Sequence, residues 1–178
     1  NLSQASIINL EIKSTPDEKN LTPGPKEMVQ IVLNDIKKSN LQDKIIISSF
    51  DWRILREVKN QNSEIYRAYL TFQQEKGMKI KKTIYSKSPW IDHIPLTIVY
   101  DLPKIIKELG GSAWHPYYKD INKKAVKDAH DYNLPVNVWT VNDEYNMLKM
   151  IEYEVDGIMT DYPLKLKELC DKKNIKWF

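Results

Sequence analysis

The chain has 178 residues, 42% of them hydrophobic and 29% charged, a balance that suits one soluble globular domain. Its net charge of +3 is small, and the lysines come as scattered pairs (Lys37-Lys38, Lys81-Lys82, Lys123-Lys124, Lys172-Lys173), the mark of solvated helix faces rather than of a nucleic-acid surface. A single cysteine, Cys170, excludes an internal disulfide and a cysteine-based zinc site, no run approaches the ~20 apolar residues of a membrane span, and residues 1–6 do not read as a signal peptide.

The first element is a strand over residues 7–12, and Lys13 closes its run, Ile-Ile-Asn-Leu-Glu-Ile-Lys. Side chains alternate along a strand, so Asn9, Glu11 and Lys13 share one face while Ile8, Leu10 and Ile12 share the other. An acid and a base on one face are costly to desolvate unless they are paired or hold a ligand. Two readings stand here: a structural ion pair or wet edge strand, and a ligand site.

A loop over residues 14–25 follows, with three prolines and one glycine. Pro25 suits the first turn of a helix in which Met28, Val29, Val32, Leu33 and Ile36 recur at helical spacing as far as Ser39. Residues 44–48 make a compact strand, and Asp51 caps a helix whose buried stripe is Trp52, Leu55 and Val58. Residues 65–70 read as another strand. The stretch 71–100 is too long for an ordinary connection, so a functional cover or a mobile insertion is expected. Its Trp90, Ile91 and Ile94 lie beside Lys79, Lys81, Lys82 and Lys87, apolar anchors mixed with cations. The alternative is a hairpin packed on the rim. A helix over 102–109 is closed by Gly110-Gly111. A weak strand at 112–115 precedes a helix over 123–132, capped by Asn122 and ended by Asn133. Residues 136–141 give the clearest strand. Asn142-Asp143 caps a helix over 144–153 with Leu148 and Ile151 facing in, residues 155–159 form the last strand, and Pro163 opens a last helix over 164–172.

Six strand–helix units predict an α/β fold with a parallel sheet, either an open doubly wound sheet or a (β/α)8 TIM barrel. No glycine fingerprint of a nucleotide-binding open sheet occurs. Polar residues instead gather at the C-terminal ends of strands: Glu11 and Lys13, Ser49, Trp139 and Asn142, Thr160 and Asp161. That is where a barrel keeps its active site, and the barrel is the expectation. Such a barrel takes ~250 residues, ~31 per unit, so a chain of six units is two short of closure.

Residues 8–13 (Ile-Asn-Leu-Glu-Ile-Lys), Ser48-Ser49-Phe50, residues 136–142 (Val-Asn-Val-Trp-Thr-Val-Asn) and residues 155–163 (Val-Asp-Gly-Ile-Met-Thr-Asp-Tyr-Pro) follow one another in this order. Together they resemble the C-terminal three-quarters of the glycerophosphodiester phosphodiesterase family, from residue 7 to about 169 apart from the insertion. The resemblance implies a barrel enzyme that splits glycerophosphodiesters into glycerol 3-phosphate and an alcohol. It further implies that Glu11 is a ligand of a divalent cation, Ca2+ or Mg2+, and that Lys13 is a catalytic residue beside the phosphate. Trp139 would line the substrate pocket, and Phe50 matches a position near the pocket mouth. The residue types suit these roles: a hard cation prefers carboxylate oxygens, a lysine offers a point charge to phosphate, and an indole offers a flat apolar wall. The family's His-Arg-Gly strand, its Glu-x-Asp metal ligands and its second histidine lie upstream of the Glu-x-Lys strand and are not in this chain. The expectation is therefore a single barrel domain over 1–178 that lacks its first two β/α units, with residues 1–6 the tail of a preceding helix and 71–100 an insertion at the active-site face. Either the protein begins earlier, or this is a truncated form.

Other candidates take structural readings. His115 is expected to be structural, and His130 and His93 incidental. Ser49 lacks the Gly-x-Ser-x-Gly setting of a nucleophile and reads as a hydrogen bonder within the barrel. Asp161 is expected to bond nearby backbone or cap the last helix. Two rival functions are a phospholipase-type barrel acting on lipid head groups, with peripheral lipid contact, and a non-catalytic relic that binds a ligand or partner. The expected partner is a small-molecule glycerophosphodiester, with no nucleic acid and no membrane span. A cytoplasmic location is expected unless an export signal lies upstream.

Overall fold

The computed structural model describes residues 6–18, 21–75, 81–97 and 100–176. Strands β1 (Ile8–Glu11), β2 (Ile45–Ser49), β3 (Tyr66–Thr71) and β4 (Ala113–Pro116) form a parallel sheet in that spatial order. Strands β5 (Asn137–Val138) and β6 (Gly157–Ile158) pair in parallel, and bridges Trp114↔Val136 and Tyr117↔Trp139 join them to β4. Each strand thus lies beside the next one in the chain, with no reversal of order. A doubly wound sheet reverses at its switch point, whereas a barrel does not. The described residues form a partial TIM barrel of six strand–helix units.

Local chemistry sets the helices. Pro25 opens α1 (Pro25–Ser39), and side chains of Asp51, Asp101, Asn122 and Asp143 accept backbone N–H groups at the starts of α2 (Trp52–Gln61), α3 (Leu102–Glu108), α4 (Lys123–Asp131) and α5 (Glu144–Glu152). Each such cap contributes about 1 kcal/mol. Gly110, at φ 86, turns the chain out of α3, and Pro163 opens α6 (Pro163–Lys172), where Cys170 is buried. Between helices and strands lies the main core, with Ile47, Leu55, Val58, Ile106, Val136 and Met147 fully out of water. A second apolar cluster of Leu70, Phe72, Tyr117 and Trp139 takes in Phe50 and Met159. Strand register puts these side chains on the opposite face of the sheet, the barrel interior.

One expectation is corrected and one is refined. Residues 136–141, the clearest strand by composition, give only the two-residue β5. Trp114 N–H donates to Pro135 O at 2.8 Å and Tyr118 N–H to Trp139 O at 3.2 Å, but the rung between them would start at Pro116, which has no N–H. In α5 the fully buried residues are Met147 and Met150; Leu148 packs half-buried against the core as expected, and Ile151 is half-buried. Both pairs have the same spacing, so periodicity alone could not choose between them. The expected helix tail at residues 1–6 falls, Ser6 apart, outside the described residues, as do Gly77, Met78 and Lys79.

Candidate active site

At the C-terminal ends of β1 and β2 two loops are stitched together. Ile12 N–H donates to Ser48 O at 2.9 Å, Ser49 Oγ donates to Ile12 O at 2.8 Å, and Asp51 N–H donates to Ser49 Oγ at 3.1 Å. Ser49 is thus a hydrogen bonder within the barrel. Asp51, fully buried, accepts from Ser14 Oγ at 2.6 Å and from Arg53 Nε and a terminal guanidinium nitrogen at 2.9 and 2.7 Å. The bidentate pair satisfies the carboxylate that would otherwise be costly to bury, and that hydrogen bonding holds the Arg53 pKa above its ordinary value. The loop after β1 is clamped to the start of α2, which fixes the backbone carrying Glu11 and Lys13.

Glu11 and Lys13 form an ion pair at 3.6 Å, with side chains 31% and 80% exposed. They line a cleft of about 290 Å³, together with Phe50 from the end of β2, Asp17 from the first loop, and Lys81 and Trp90 from the β3–α3 connection. Lys81 pairs with Asp17 at 3.6 Å, so that connection reaches across the cleft mouth. Ile91 is fully buried and Trp90 and Ile94 are half-buried. The apolar residues of this segment are used in packing, and Asp92 pairs with Arg56 of α2.

Trp139 does not line the cleft. It is buried behind Phe50, whose ring meets it edge-on at 5.3 Å, and it packs on Tyr117 at 5.2 Å. Its indole N–H donates to His115 O at 2.8 Å, which fixes the ring's orientation.

The histidines stand apart from the cleft. His115 is 1% exposed, Asn137 Nδ2 lies 3.0 Å from its Nε2, and burial pushes its pKa down to about 4, so the ring is neutral near pH 7. His130 lies 2.8 Å from Asp156, and His93 lies 3.2 Å from Lys87 O, both on the surface. Asp161 accepts from the Asn142 amide at 2.7 Å, and its own N–H donates to Asn142 Oδ1 at 3.0 Å. The residue at the cap of α6 is Tyr162, so Asp161 locks the loops after β5 and β6 together rather than capping the helix. Among the described residues no group of three or more His, Cys, Asp or Glu is arranged to hold a metal. Glu11 offers an accessible carboxylate, which fits one ligand position of a hard cation. Sequence reasoning missed the Ser14–Asp51–Arg53 clamp and the Asp17–Lys81 pair, for which no short-range pattern exists.

The model of the glycerophosphoryl diester phosphodiesterase family matches residues 3–165. The chain belongs to that family. A glycerophosphodiester phosphodiesterase of Caldanaerobacter subterraneus subsp. tengcongensis is 30% identical over 167 residues, covering 93% of this chain and 56% of the relative. A solved structure from Silicibacter pomeroyi, provisionally named a glycerophosphoryl diester phosphodiesterase, superposes with a TM-score of 0.77 at 30% identity, over 97% of this chain and 52% of that one. An Oleispira antarctica phosphodiesterase, solved with the product sn-glycerol-3-phosphate, superposes with a TM-score of 0.69 at 22% identity, over 93% of this chain and 55% of that one. The last likeness supports the fold. The chain spans about half the length of the relatives that it matches.

Proposed function

We propose that the protein carrying this chain hydrolyses glycerophosphodiesters to glycerol 3-phosphate and an alcohol, with a divalent cation, Ca2+ or Mg2+, held in part by Glu11. The observation that carries this reading is the meeting of Glu11 and Lys13, 3.6 Å apart, in a cleft at the C-terminal end of a barrel strand, in a member of this phosphodiesterase family. That end of the barrel is where the fold's active sites are built.

When bound, the cation supplies charge neutralisation and Lewis acidity at the phosphate. Lys13 places an ammonium on a non-bridging phosphate oxygen, where negative charge grows as water adds to phosphorus and the bond to the alcohol oxygen breaks. Phe50, backed by Trp139, gives an apolar wall to the glycerol arm. None of the chain's three histidines lines the cleft, so none is assigned proton transfer.

The test uses the protein expressed from its complete reading frame. Release of glycerol 3-phosphate from glycerophosphocholine is expected, abolished by a chelator and restored by Ca2+ or Mg2+. Calorimetry on Glu11→Gln should show metal affinity lost or reduced roughly 10-fold or more. Unchanged affinity would remove Glu11 from the ligand set, and no release from any glycerophosphodiester would overturn the activity.

A further inference from the structure

Glu11 lies inside β1, in register with Ser48 of β2, whereas Lys13 stands two residues beyond the end of that strand. The Lys13 side chain is 80% exposed, and an ion pair at 3.6 Å with water access does little to fix so long and flexible a chain. Where its ammonium points is therefore set by the backbone on either side. On one side Ile12 is held by Ser48 O and Ser49 Oγ, two bonds that carry the ladder past the strand. On the other side the anchor is the half-buried Ser14, whose Oγ donates to Asp51 Oδ2 at 2.6 Å.

Asp51 is an anchor that cannot swing. Its fully buried carboxylate takes four donors among the described residues: the Ser14 hydroxyl, and from Arg53 the backbone N–H at 3.1 Å, Nε at 2.9 Å and a terminal nitrogen at 2.7 Å. Two carboxylate oxygens offer about four acceptor sites, so the group is filled and its orientation fixed. Arg53 supplies three of those donors and the charge that makes the burial tolerable. The Ser14 bond is thus not what keeps Asp51 in the core or caps α2. What it adds is a tie between that fixed carboxylate and the residue next to Lys13. We propose that Ser14, through Asp51, is a positioning residue for Lys13, and that the bond acts on turnover rather than on substrate affinity. The effect on rate rests on the hydrolase reading, while the holding itself is read in the backbone.

The experiment compares wild type, Ser14→Ala, Ser14→Thr, Lys13→Ala and the Ser14→Ala/Lys13→Ala double variant, each expressed from the complete reading frame. Asp51 is left intact, because its removal would strand the partly buried Arg53 guanidinium. Ser14→Ala should lower kcat for glycerophosphocholine roughly 10-fold, as a small misplacement of a charge-stabilising group does, with KM within about 2-fold of wild type. Ser14→Thr, which keeps the hydroxyl, should recover most of that loss. In the Lys13→Ala background the same change should cost less than about 2-fold, since the group that it positions is gone. Nitrogen-15 relaxation should give the Lys13 amide the order parameter of rigid backbone in wild type, about 0.85, and a clearly lower one in Ser14→Ala. An unchanged kcat, an equal loss in both backgrounds or an unchanged order parameter overturns the proposal. A protein that hydrolyses no diester, yet loses Lys13 order in Ser14→Ala, overturns the activity and leaves the anchor standing.

Discussion

At the scale of single residues the structure separates two kinds of charged or polar group. Glu11 and Lys13 are paired but reach water, and such pairs contribute little to stability, of the order of 0–1 kcal/mol. Lys13→Ala is therefore expected to leave the melting temperature nearly unchanged while lowering turnover of glycerophosphocholine roughly 100-fold, the usual loss for one donor to a developing anion. A collapse of stability with turnover retained would make the pair structural instead. His115 is the opposite case. Its pKa falls from 6.5 to about 4 by burial, so between those values the unfolded chain takes up a proton that the folded chain refuses. Stability is then fully present above pH 6.5 and is lost as pH falls towards 4, by about 2 kcal/mol at pH 5. Chemical denaturation across that range should show this slope in wild type and a flatter one in His115→Gln. Equal slopes would mean that other groups carry the acid sensitivity.

At the scale of elements, what could be read from sequence was what depends on near neighbours. Asp51, Asn122 and Asp143 cap helices because a short oxygen acceptor needs only the next two or three N–H groups. The alternation of strand and helix was legible for the same reason, and so was the Glu-x-Lys face of β1. Which residues of α5 are fully buried was not, since Met147/Met150 and Leu148/Ile151 differ only in which pair tertiary packing chose. Nor was the Asp17–Lys81 contact, which depends on where the β3–α3 connection comes to rest. The shortness of β5 has a local cause that lies on another strand: Pro116 lacks the N–H for the rung to Asn137 O. Pro116→Ala supplies that donor. Its amide should exchange with solvent slowly, β5 should gain a continuous ladder to β4, and stability should move by no more than about 1 kcal/mol, because the added bond offsets the lost proline restriction. Exchange as fast as an exposed loop amide would show that the two strands stand apart at that level.

At the scale of the whole molecule, six parallel strands among the described residues follow one another around part of a barrel that takes eight to close. Among the described residues β1 pairs with one neighbouring strand, β2, and the Asn9 amide nitrogen lies 4.0 Å from Met159 Sδ just beyond β6, so the two ends of the array approach each other across the interior. Glu11 sits on that open edge. A divalent hard cation takes six to eight oxygens, and tight sites draw several of them from carboxylates. Among the described residues Glu11 has no second and third carboxylate beside it to make such a set, and its charge is partly offset by Lys13. The 178-residue polypeptide alone is thus expected to bind Ca2+ or Mg2+ weakly, with dissociation constants of about 1 mM or above, and to show no measurable metal-dependent release of glycerol 3-phosphate. Titration calorimetry followed by a product assay on this polypeptide checks both. Micromolar affinity with robust turnover would show that Glu11 finds its co-ligands within these 178 residues, and the assignment of a single carboxylate from this chain would fall.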